Sequence, residues 1–452
     1  MGYHHLLDTL ALRIPKILLP KDTIDMRKWA VVACDQYTSQ PAYWKRVAEF
    51  VGDAPSSLHL IFPEAFLGRD NRKRIERICT AMQEYQDTGV FREPESCFML
   101  IQRTLKSGVV RNGLIVALNL EHYDYSKNSA SLIRPTEATI PERITPRIAI
   151  RKGASLELPH IMVLIDDPQK TVIEPLFAAK HDEKNMRYDS PLMLDAGSIA
   201  GFAIREPEHI AGIAQAIAKL ADKGNFTRRY GLSRGAQVIL YAVGDGNHSL
   251  ATAKALWEEM KKKLSEEEQN EHPARFALVE LVNLHDDGLA FEPIHRIACG
   301  METQSLLSAM QRYFQNKGAA FSCEYPKRTE SLSKAARRKS EGAHHIPFFT
   351  STAHGMLSIE RQLHSLAAGS LQECLDELVR HNPALTVDYI HGEKELSSLV
   401  QQHRATGFIL PQLRKGSLFE SVIRHGILPK KTFSMGEAED KRFYIEARRI
   451  RK

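Results

Sequence analysis

Short apolar runs bounded by turn-forming or charged residues recur along much of the chain. Runs of about four to seven residues with such boundaries are typical of buried strands. The pattern predicts strands at Ala30–Cys34, Cys97–Gln102, Leu114–Leu120, His160–Ile165 and Gln237–Val243. Ser-Gly and Asn-Gly turn signals lie between the second and the third of these runs, so we expect those two strands to form a β-hairpin.

The segments between these runs repeat apolar residues at the spacing of an amphipathic helix. They predict helices at Tyr43–Val51, Arg72–Thr88, Ala211–Asp222 and Leu250–Leu264. A more continuously apolar segment, Ala274–Leu284, predicts a further helix that is largely buried.

The chain becomes more polar after Gly300. Helices are predicted there at Thr303–Asn316 and Ser331–Ser340, and strands at Thr406–Leu410 and Arg442–Glu446. The whole pattern predicts an α/β fold with a mixed sheet.

We therefore expect two regions. An N-terminal α/β core would contain residues 1–300, and a C-terminal α/β region would contain residues 301–452.

The strongest local signal is an apolar strand that ends in Val-Gly-Asp-Gly and leads into an Ala-rich helix. Glycine permits a sharp turn, and the first amides of a helix attract anions. The pattern predicts a phosphate site at Gly246, with His248 and Ser249 as further donors. Asp245 could bind Mg²⁺ or act as a base. An ordinary turn with Asn247 as the helix N-cap has the same pattern, and the residues alone leave both interpretations open.

Residues 133–158 are polar, contain several prolines and show little periodicity, so they predict a long loop. Guanidinium groups bind phosphate and carboxylate oxygens in two-point geometry. Arg134, Arg143 and Arg147 are therefore candidate contacts to an anionic substrate, and Glu137 lies among them. A solvated loop whose charges pair with one another is the alternative.

Two further segments contain groups that could bind phosphate. His295 and Arg296 follow Asp286 and Asp287 within a short span, and these residue types form metal clusters, acid–base pairs or phosphate contacts. A satisfied structural histidine is the alternative. Lys431 lies in a Lys-Thr-Phe-Ser sequence that is typical of a phosphate-contacting loop and equally of an ordinary turn.

Composition narrows the classes of partner. The 452 residues carry a net charge of +6, which suits a small anionic metabolite and does not require nucleic acid. The six cysteines occur singly, a pattern that favours a reducing compartment. No secretion signal and no apolar run near the roughly 20 residues of a membrane span are present, so we expect a cytoplasmic protein without a membrane partner. The basic run at 448–452 is expected to be solvated.

Taken in order, these segments resemble the bacterial and archaeal family named domain of unknown function 1015. The Cys-Asp-Gln-Tyr segment at 34–37 and the Arg/Glu-rich segment at 134–151 are similar to its first motifs. The turn at 245–249 resembles its Asp-Gly-His-His-Arg motif. Residues 286–296 resemble its Asp-x-Gly-Leu and Pro-x-His-Arg motifs, and residues 429–433 resemble its tail.

The turn also resembles the phosphate-binding motif of the ParB–sulfiredoxin superfamily, which includes free-serine kinases. Asn247 stands in place of the first His and Ser249 in place of the Arg, so one bidentate phosphate contact is missing. The resemblance implies a ParB/sulfiredoxin-like phosphate-binding core with elaborations.

The resemblance further implies an enzyme, a kinase of free serine or a similar hydroxyl metabolite. The donor would be ATP, ADP or pyrophosphate with Mg²⁺. Glu137, Asp245 and His248 would be catalytic, and Asp245 would bind the metal. A phosphatase acting on phosphoserine and a nucleotide-dependent binding or regulatory protein are the alternatives, and the oligomeric state stays open. Phosphate and substrate contacts would come from Arg134, Arg143, Arg147, Gly246, Asn247, Ser249, His295, Arg296 and Lys431.

Overall fold

The structure is a computed structural model that describes residues 2–68, 70–126, 129–139, 141–178, 183–325, 342–360 and 363–451. The described chain divides into two compact units. The first unit contains Met1–Ala290 and Met435–Lys452, and the second contains Phe291–Ser434.

Helices occur in both units. Short 3₁₀ turns are found at Ser57–Leu60, Glu64–Phe66, Leu120–His122, Glu183–Asn185, Met193–Asp195, Pro273–Arg275 and Ala438–Asp440. The described α-helices are α1 Tyr3–Thr9, α2 Met26–Trp29, α3 Pro41–Val51, α4 Asn71–Asp87, α5 Pro141–Gly153, α6 Glu174–Ala178, α7 Pro207–Ala221, α8 Lys223–Tyr230, α9 Asn247–Lys261, α10 Glu266–Glu271, α11 Thr303–Asn316, α12 Ala367–His381, α13 Glu393–His403 and α14 Ser417–His425.

Strands also occur in both units. The described strands are β1 Leu12–Arg13, β2 Lys16–Ile17, β3 Val31–Val32, β4 Glu95–Ser96, β5 Phe98–Thr104, β6 Val110–Asn119, β7 Ile133–Pro135, β8 Leu156–Glu157, β9 Met162–Ile165, β10 Met186–Pro191, β11 Ser198–Ile204, β12 Tyr241–Asp245, β13 Phe276–Asn283, β14 Phe291–Cys299, β15 Ala320–Glu324, β16 Ala343–Phe349, β17 His354–Glu360, β18 Thr386–His391, β19 Thr406–Phe408, β20 Phe433–Met435, β21 Phe443–Tyr444 and β22 Arg448–Arg449.

The first unit is built on a mixed sheet whose described strands lie in the order β10-β11-β5-β6-β13-β9-β12-β7, with β1 paired to β6. The predicted hairpin is confirmed, because β5 and β6 pair antiparallel. β12 runs parallel to β7 and antiparallel to β9. The carboxyl ends of β7 and β12 therefore lie at one edge with the amino end of β9. The predicted α/β class with a mixed sheet is confirmed.

Both faces of this sheet are buried. Along β6, Val116 packs into one apolar cluster and Ile115 into another, as expected for side chains that alternate across a strand. Helices α7 and α9 cover the first face through residues such as Ile213 and Trp257. Helix α3 covers the second face, to which Tyr444 from the C-terminal segment also belongs.

Residues 435–452 return to the first unit after the second unit is complete. There β21 pairs with β3, and β22 pairs with β8. Arg111 donates to the carbonyl of Asp440 at 2.8 Å, and Arg448 donates to Glu157 Oε1 at 2.6 Å. Arg448 is buried, so the expectation of a wholly solvated basic run was wrong at this residue.

The second unit has its own sheet, against which helices pack. Its described strands lie in the order β15-β17-β16-β19-β14-β18, and β20 pairs with β14. α11 and α12 pack their apolar residues into one cluster with the sheet, and α13 packs into a second cluster around Leu396 and Val400. The predicted helix Ser331–Ser340 lies outside the described residues.

Two predicted elements were wrong. Most of the segment Ala274–Leu284 forms strand β13, Phe276–Asn283, and every residue of this strand is buried. A central strand covered on both faces has a continuous apolar run, which periodicity cannot distinguish from a buried helix. Residues 133–158 are not one loop, because they contain β7, α5 and β8. α5 packs against α9, which supplies tertiary contacts that local periodicity does not report.

The predicted division between residues 300 and 301 differs from the division in the structure. The second unit begins at Phe291, and residues 435–452 belong to the first unit. The cause is nonlocal pairing of the C-terminal strands with β3 and β8. Among the described residues, every helix is too short or too polar to cross a lipid bilayer.

Candidate functional site

The turn from β12 to α9 lies at the sheet edge where the carboxyl ends of β7 and β12 meet. Gly246 precedes the helix with φ of 79°. A Cβ atom at this position would lie 3.0 Å from Cα of Ile161, so both the backbone angle and the space favour glycine. Within the described residues, no side-chain hydrogen bond caps α9. The alternative prediction of Asn247 as the N-cap is therefore wrong.

Asp245 closes β12 and faces a buried ammonium group. Its Oδ2 atom lies 3.1 Å from Nζ of Lys441, and its Oδ1 atom accepts a hydrogen bond from the Gly246 amide at 2.9 Å. Burial opposes ionisation of Asp245, but the nearby charge of Lys441 holds its pKa below the ordinary value. Asp245 is therefore a carboxylate at neutral pH.

Ser249 takes part in a chain of hydrogen bonds that we call the Ser–His–Tyr relay, which consists of Ser249, His160 and Tyr444. Ser249 Oγ lies 2.8 Å from His160 Nε2, and His160 Nδ1 lies 2.9 Å from the Tyr444 hydroxyl. The amide of Cys34 donates to that hydroxyl at 3.2 Å. Burial raises the pKa of Tyr444 well above its usual range, so the phenol stays neutral.

A second charged pair lies beside the relay. Arg147 on α5 donates to Oε1 of Glu64, and both side chains are largely buried. The amide of Glu64 donates to the Cys34 carbonyl at 2.8 Å, which ties this pair to the end of β3. Burial raises the pKa of Glu64; the charge of Asp35 adds to this, while Arg147 and His160 oppose it. Asp35, Glu64 and Arg147 therefore lie near His160. We use the word cluster for these four residues together with Ser249, Tyr444, Asp245 and Lys441.

Asn247 has a structural role in the turn. It is buried, its Oδ1 accepts from the Thr136 amide at 3.2 Å, and its Nδ2 donates to the Val243 carbonyl at 3.2 Å. The side chain thereby joins the residue after β7 to the end of β12. The predicted phosphate contact at Asn247 is replaced by this link, because its amide group is occupied within the protein.

The structure brings the Arg-rich segment to the turn. Glu137 directly follows the linked Thr136 and is partly buried, whereas Arg134 donates to the carbonyls of Ser131 and Gln237 at 2.9 and 3.1 Å. Arg134 thus holds the segment before β12 in place and is not the anion clamp that we expected. The side chain of Arg143 lies outside the described part of the structure. His248 is a partly buried residue of the first turn of α9.

The remaining predicted phosphate contacts belong to the second unit. Arg296 is fully buried and donates to Gln372 Oε1 at 2.6 Å and to main-chain carbonyls, including that of Lys431 at 3.0 Å. His295 Nδ1 accepts from the Leu410 amide at 3.1 Å. Burial, with the charge of Arg296, lowers the pKa of His295 to about 4. Both side chains are committed to contacts within their own unit, which corrects the expectation of phosphate contacts.

Four residues of the cluster escaped sequence reasoning: Glu64, His160, Lys441 and Tyr444. His160 begins an otherwise apolar predicted strand, and its position just before β9 was the available signal. Lys441 and Tyr444 are far from Asp245 along the chain, and only the strand pairing of residues 435–452 brings them to it.

An apolar cavity of about 740 Å³ adjoins the cluster within the first unit. Trp44, Phe62 and Phe66 contribute to its wall, and Arg74 lies over the Phe66 ring at 4.5 Å. Pro63 and Phe66 line the cavity, and Glu64 lies between them in the sequence. The segment that lines the cavity therefore also carries a carboxylate of the cluster.

A metal ion would have few protein ligands at this edge. In the ranges that the structure describes, no three His, Cys, Asp or Glu side chains are placed to hold an ion together. Mg²⁺ is commonly held by one or two carboxylates together with water and substrate phosphates. The Asp245 carboxylate fits that limited role.

Several solved structures align with most of this chain at low sequence identity. Among solved structures, a conserved hypothetical protein from Pyrococcus furiosus is 10% identical, with 74% of this chain and 94% of that chain covered and a TM-score of 0.37. A free serine kinase mutant in complex with AMP is 9% identical, with coverage of 74% and 91% and a TM-score of 0.40. SbnI with C-terminal truncation from Staphylococcus aureus is 12% identical, with coverage of 73% and 82% and a TM-score of 0.33.

The comparison with curated proteins gave no match. A family model described as Protein of unknown function (DUF1015) matches residues 18–378, which is most of the chain and includes the cluster apart from Lys441 and Tyr444. The chain therefore belongs to the DUF1015 family.

Proposed function

We propose that this protein is a phosphotransferase that moves a phosphoryl group from a nucleotide or pyrophosphate to the hydroxyl of free serine or a similar metabolite. The observation that carries the proposal is the ionised Asp245 paired with buried Lys441 at a glycine turn into α9. Phosphoryl transfer requires mainly positioning and charge neutralisation, and this edge offers both.

The residues of the cluster have distinct roles in this proposal. Lys441 and the first turn of α9 would offset negative charge on the donor phosphates. Glu137, which follows the linked Thr136, would accept the proton of the substrate hydroxyl. His248 would contact the transferred group. Mg²⁺, when bound at Asp245, would neutralise further phosphate charge.

The cavity beside the cluster supports a nucleotide over pyrophosphate as the donor. Its apolar wall, which includes the partly exposed Phe66, suits the packing of a base, and Arg74 and Arg77 suit phosphate oxygens.

The test is phosphorus NMR of the full-length protein with Mg²⁺, L-serine and, in turn, ATP, ADP and pyrophosphate. We expect a new phosphomonoester signal that requires both serine and one donor. Free phosphate released without serine would instead favour the phosphatase alternative, and phosphoserine should then be hydrolysed. An unchanged spectrum with every donor would refute the proposed function.

A further inference from the structure

We propose that Ser249 is a catalytic nucleophile that carries the phosphoryl group between donor and acceptor, with His160 as its base. This proposal rests on the proposed phosphotransferase function and specifies its chemical route. Transfer would then occur in two steps through a phosphoserine in the protein, and not directly from donor to metabolite.

The geometry of the relay is that of an activated hydroxyl. A serine nucleophile needs a base within about 2.6–3.2 Å and a third group that orients the base. Ser249 Oγ to His160 Nε2 is 2.8 Å, and His160 Nδ1 to Tyr444 is 2.9 Å. Tyr444 is itself fixed by the Cys34 amide. Each separation falls in the required range.

The surroundings also fit the charge that this chemistry creates. When His160 takes the Ser249 proton, it becomes an imidazolium. Glu64 and Asp245 both interact electrostatically with His160, so carboxyl groups lie near the position where this positive charge forms.

The first step forms the bond from Ser249 Oγ to phosphorus and breaks the phosphoanhydride bond, whose electron pair leaves with the shortened donor. The Ser249 proton moves to His160 Nε2, which requires the tautomer with its proton on Nδ1 directed to the Tyr444 oxygen. In the second step the acceptor oxygen bonds to phosphorus and loses its proton to Glu137. The bond from Ser249 to phosphorus breaks, and Ser249 regains the proton from His160.

Stereochemistry at phosphorus separates this route from direct transfer. The unmodified protein would be given a donor whose terminal phosphoryl group is chiral through oxygen isotopes. Two displacements give net retention of configuration in phosphoserine, and one displacement gives inversion. We expect retention. Inversion would overturn the role of Ser249 while leaving the kinase function intact.

Mass spectrometry after rapid quenching tests the position of the intermediate. Without acceptor, we expect the protein to gain the mass of one phosphoryl group at Ser249, and this gain to disappear in Ser249→Ala. His160→Gln should slow its formation about 10²-fold or more. Tyr444 acts as a positioning residue, so Tyr444→Phe should slow the same step less. The exposed Ser233→Ala is the matched control and should behave as wild type.

The outcomes distinguish the two proposals. A phosphorylated serine that persists in Ser249→Ala, or full transfer activity in that variant, would overturn the nucleophile while sparing the phosphotransferase. If no donor gives either a modified protein or a product, both proposals fail together.

Discussion

The turn at 245–249 in the first unit and the pair His295–Arg296 in the second contain similar side chains, but they use them differently. Asp245 faces Lys441 at a partly exposed strand end, whereas Arg296 is fully buried and donates to an amide oxygen and several carbonyls. Residue type is therefore a weak guide to a phosphate site. Both groups have partners within the protein, and what separates the candidate site from the structural clamp is that Asp245 is partly exposed whereas Arg296 is not.

The largest effect is expected at Asp245. Asp245→Asn should lower kcat/KM for phosphoryl transfer by about 10²–10³, because it removes a charge placed to act in the transition state. The measurement is steady-state transfer to serine, with thermal melting to verify folding. Asp22→Asn, which alters an exposed ion pair with Arg92, is the control and should have little effect. Wild-type activity in Asp245→Asn would remove this residue from the site.

Replacement of Arg296 should lower the stability of the protein, whereas replacement of Asp245 should lower its rate of phosphoryl transfer. Arg296→Met leaves acceptors of Gln372, Ile294 and Lys430 without their donor, so we expect the free energy of unfolding to fall by about 3 kcal/mol. Urea titration followed by circular dichroism measures this change. The exposed Arg414→Met is the control in the same unit. A stable Arg296→Met protein with impaired phosphate binding would show that Arg296 contacts phosphate and is not a structural clamp.

His295 predicts a pH dependence of stability. Its pKa is about 4 in the folded protein against an ordinary 6.5, so between these values the unfolded chain binds more protons. Stability from this group is complete above pH 6.5 and declines as the pH falls through 4, by about 3 kcal/mol in total. We expect His295→Gln to flatten this slope in denaturant titrations. Identical slopes in the two proteins would show that His295 titrates normally.

Asn247 lies in the turn, as Asp245 does, but it is buried, as Arg296 is. Its replacement therefore tests whether burial or position in the turn decides the role of a residue. Asn247→Ala should lower the free energy of unfolding by about 1–2 kcal/mol, because the Thr136 amide and the Val243 carbonyl lose their partner. The expected change in phosphate affinity of the folded protein is small. Calorimetry and a phosphate titration measure the two quantities. A loss of phosphate affinity without a loss of stability would show that Asn247 contacts phosphate.

Sequence patterns predicted elements whose stability is largely local. The hairpin of β5 and β6 and the helices α3, α4, α7 and α9 follow from turn chemistry and amphipathic spacing. The buried strand β13 was assigned as a helix, since covering both of its faces depends on the rest of the sheet.

The candidate site divides in the same way. The turn with Asp245 and Gly246 could be predicted because its glycine and its helix are adjacent in sequence. Its partners Lys441 and His160 could not, because the backbone pairing that delivers them is long-range. The burial of Arg296 was equally hidden, since it depends on residues such as Gln372 and Lys430.

The return of residues 435–452 to the first unit has a consequence for protein synthesis. The ribosome makes the turn at Asp245 early, but Lys441 and Tyr444 emerge only after residues 291–434 have been translated. The chain leaves the first unit after Ala290 and re-enters it at Met435. These two points are adjacent, because the Gly436 amide donates to the Ala290 carbonyl at 3.1 Å. A nascent chain can therefore form much of the sheet while its Asp245 still lacks a counter-charge. Translation that stops within the second unit would leave an inactive protein, so the proposed activity reports that residues up to Tyr444 have been made and docked.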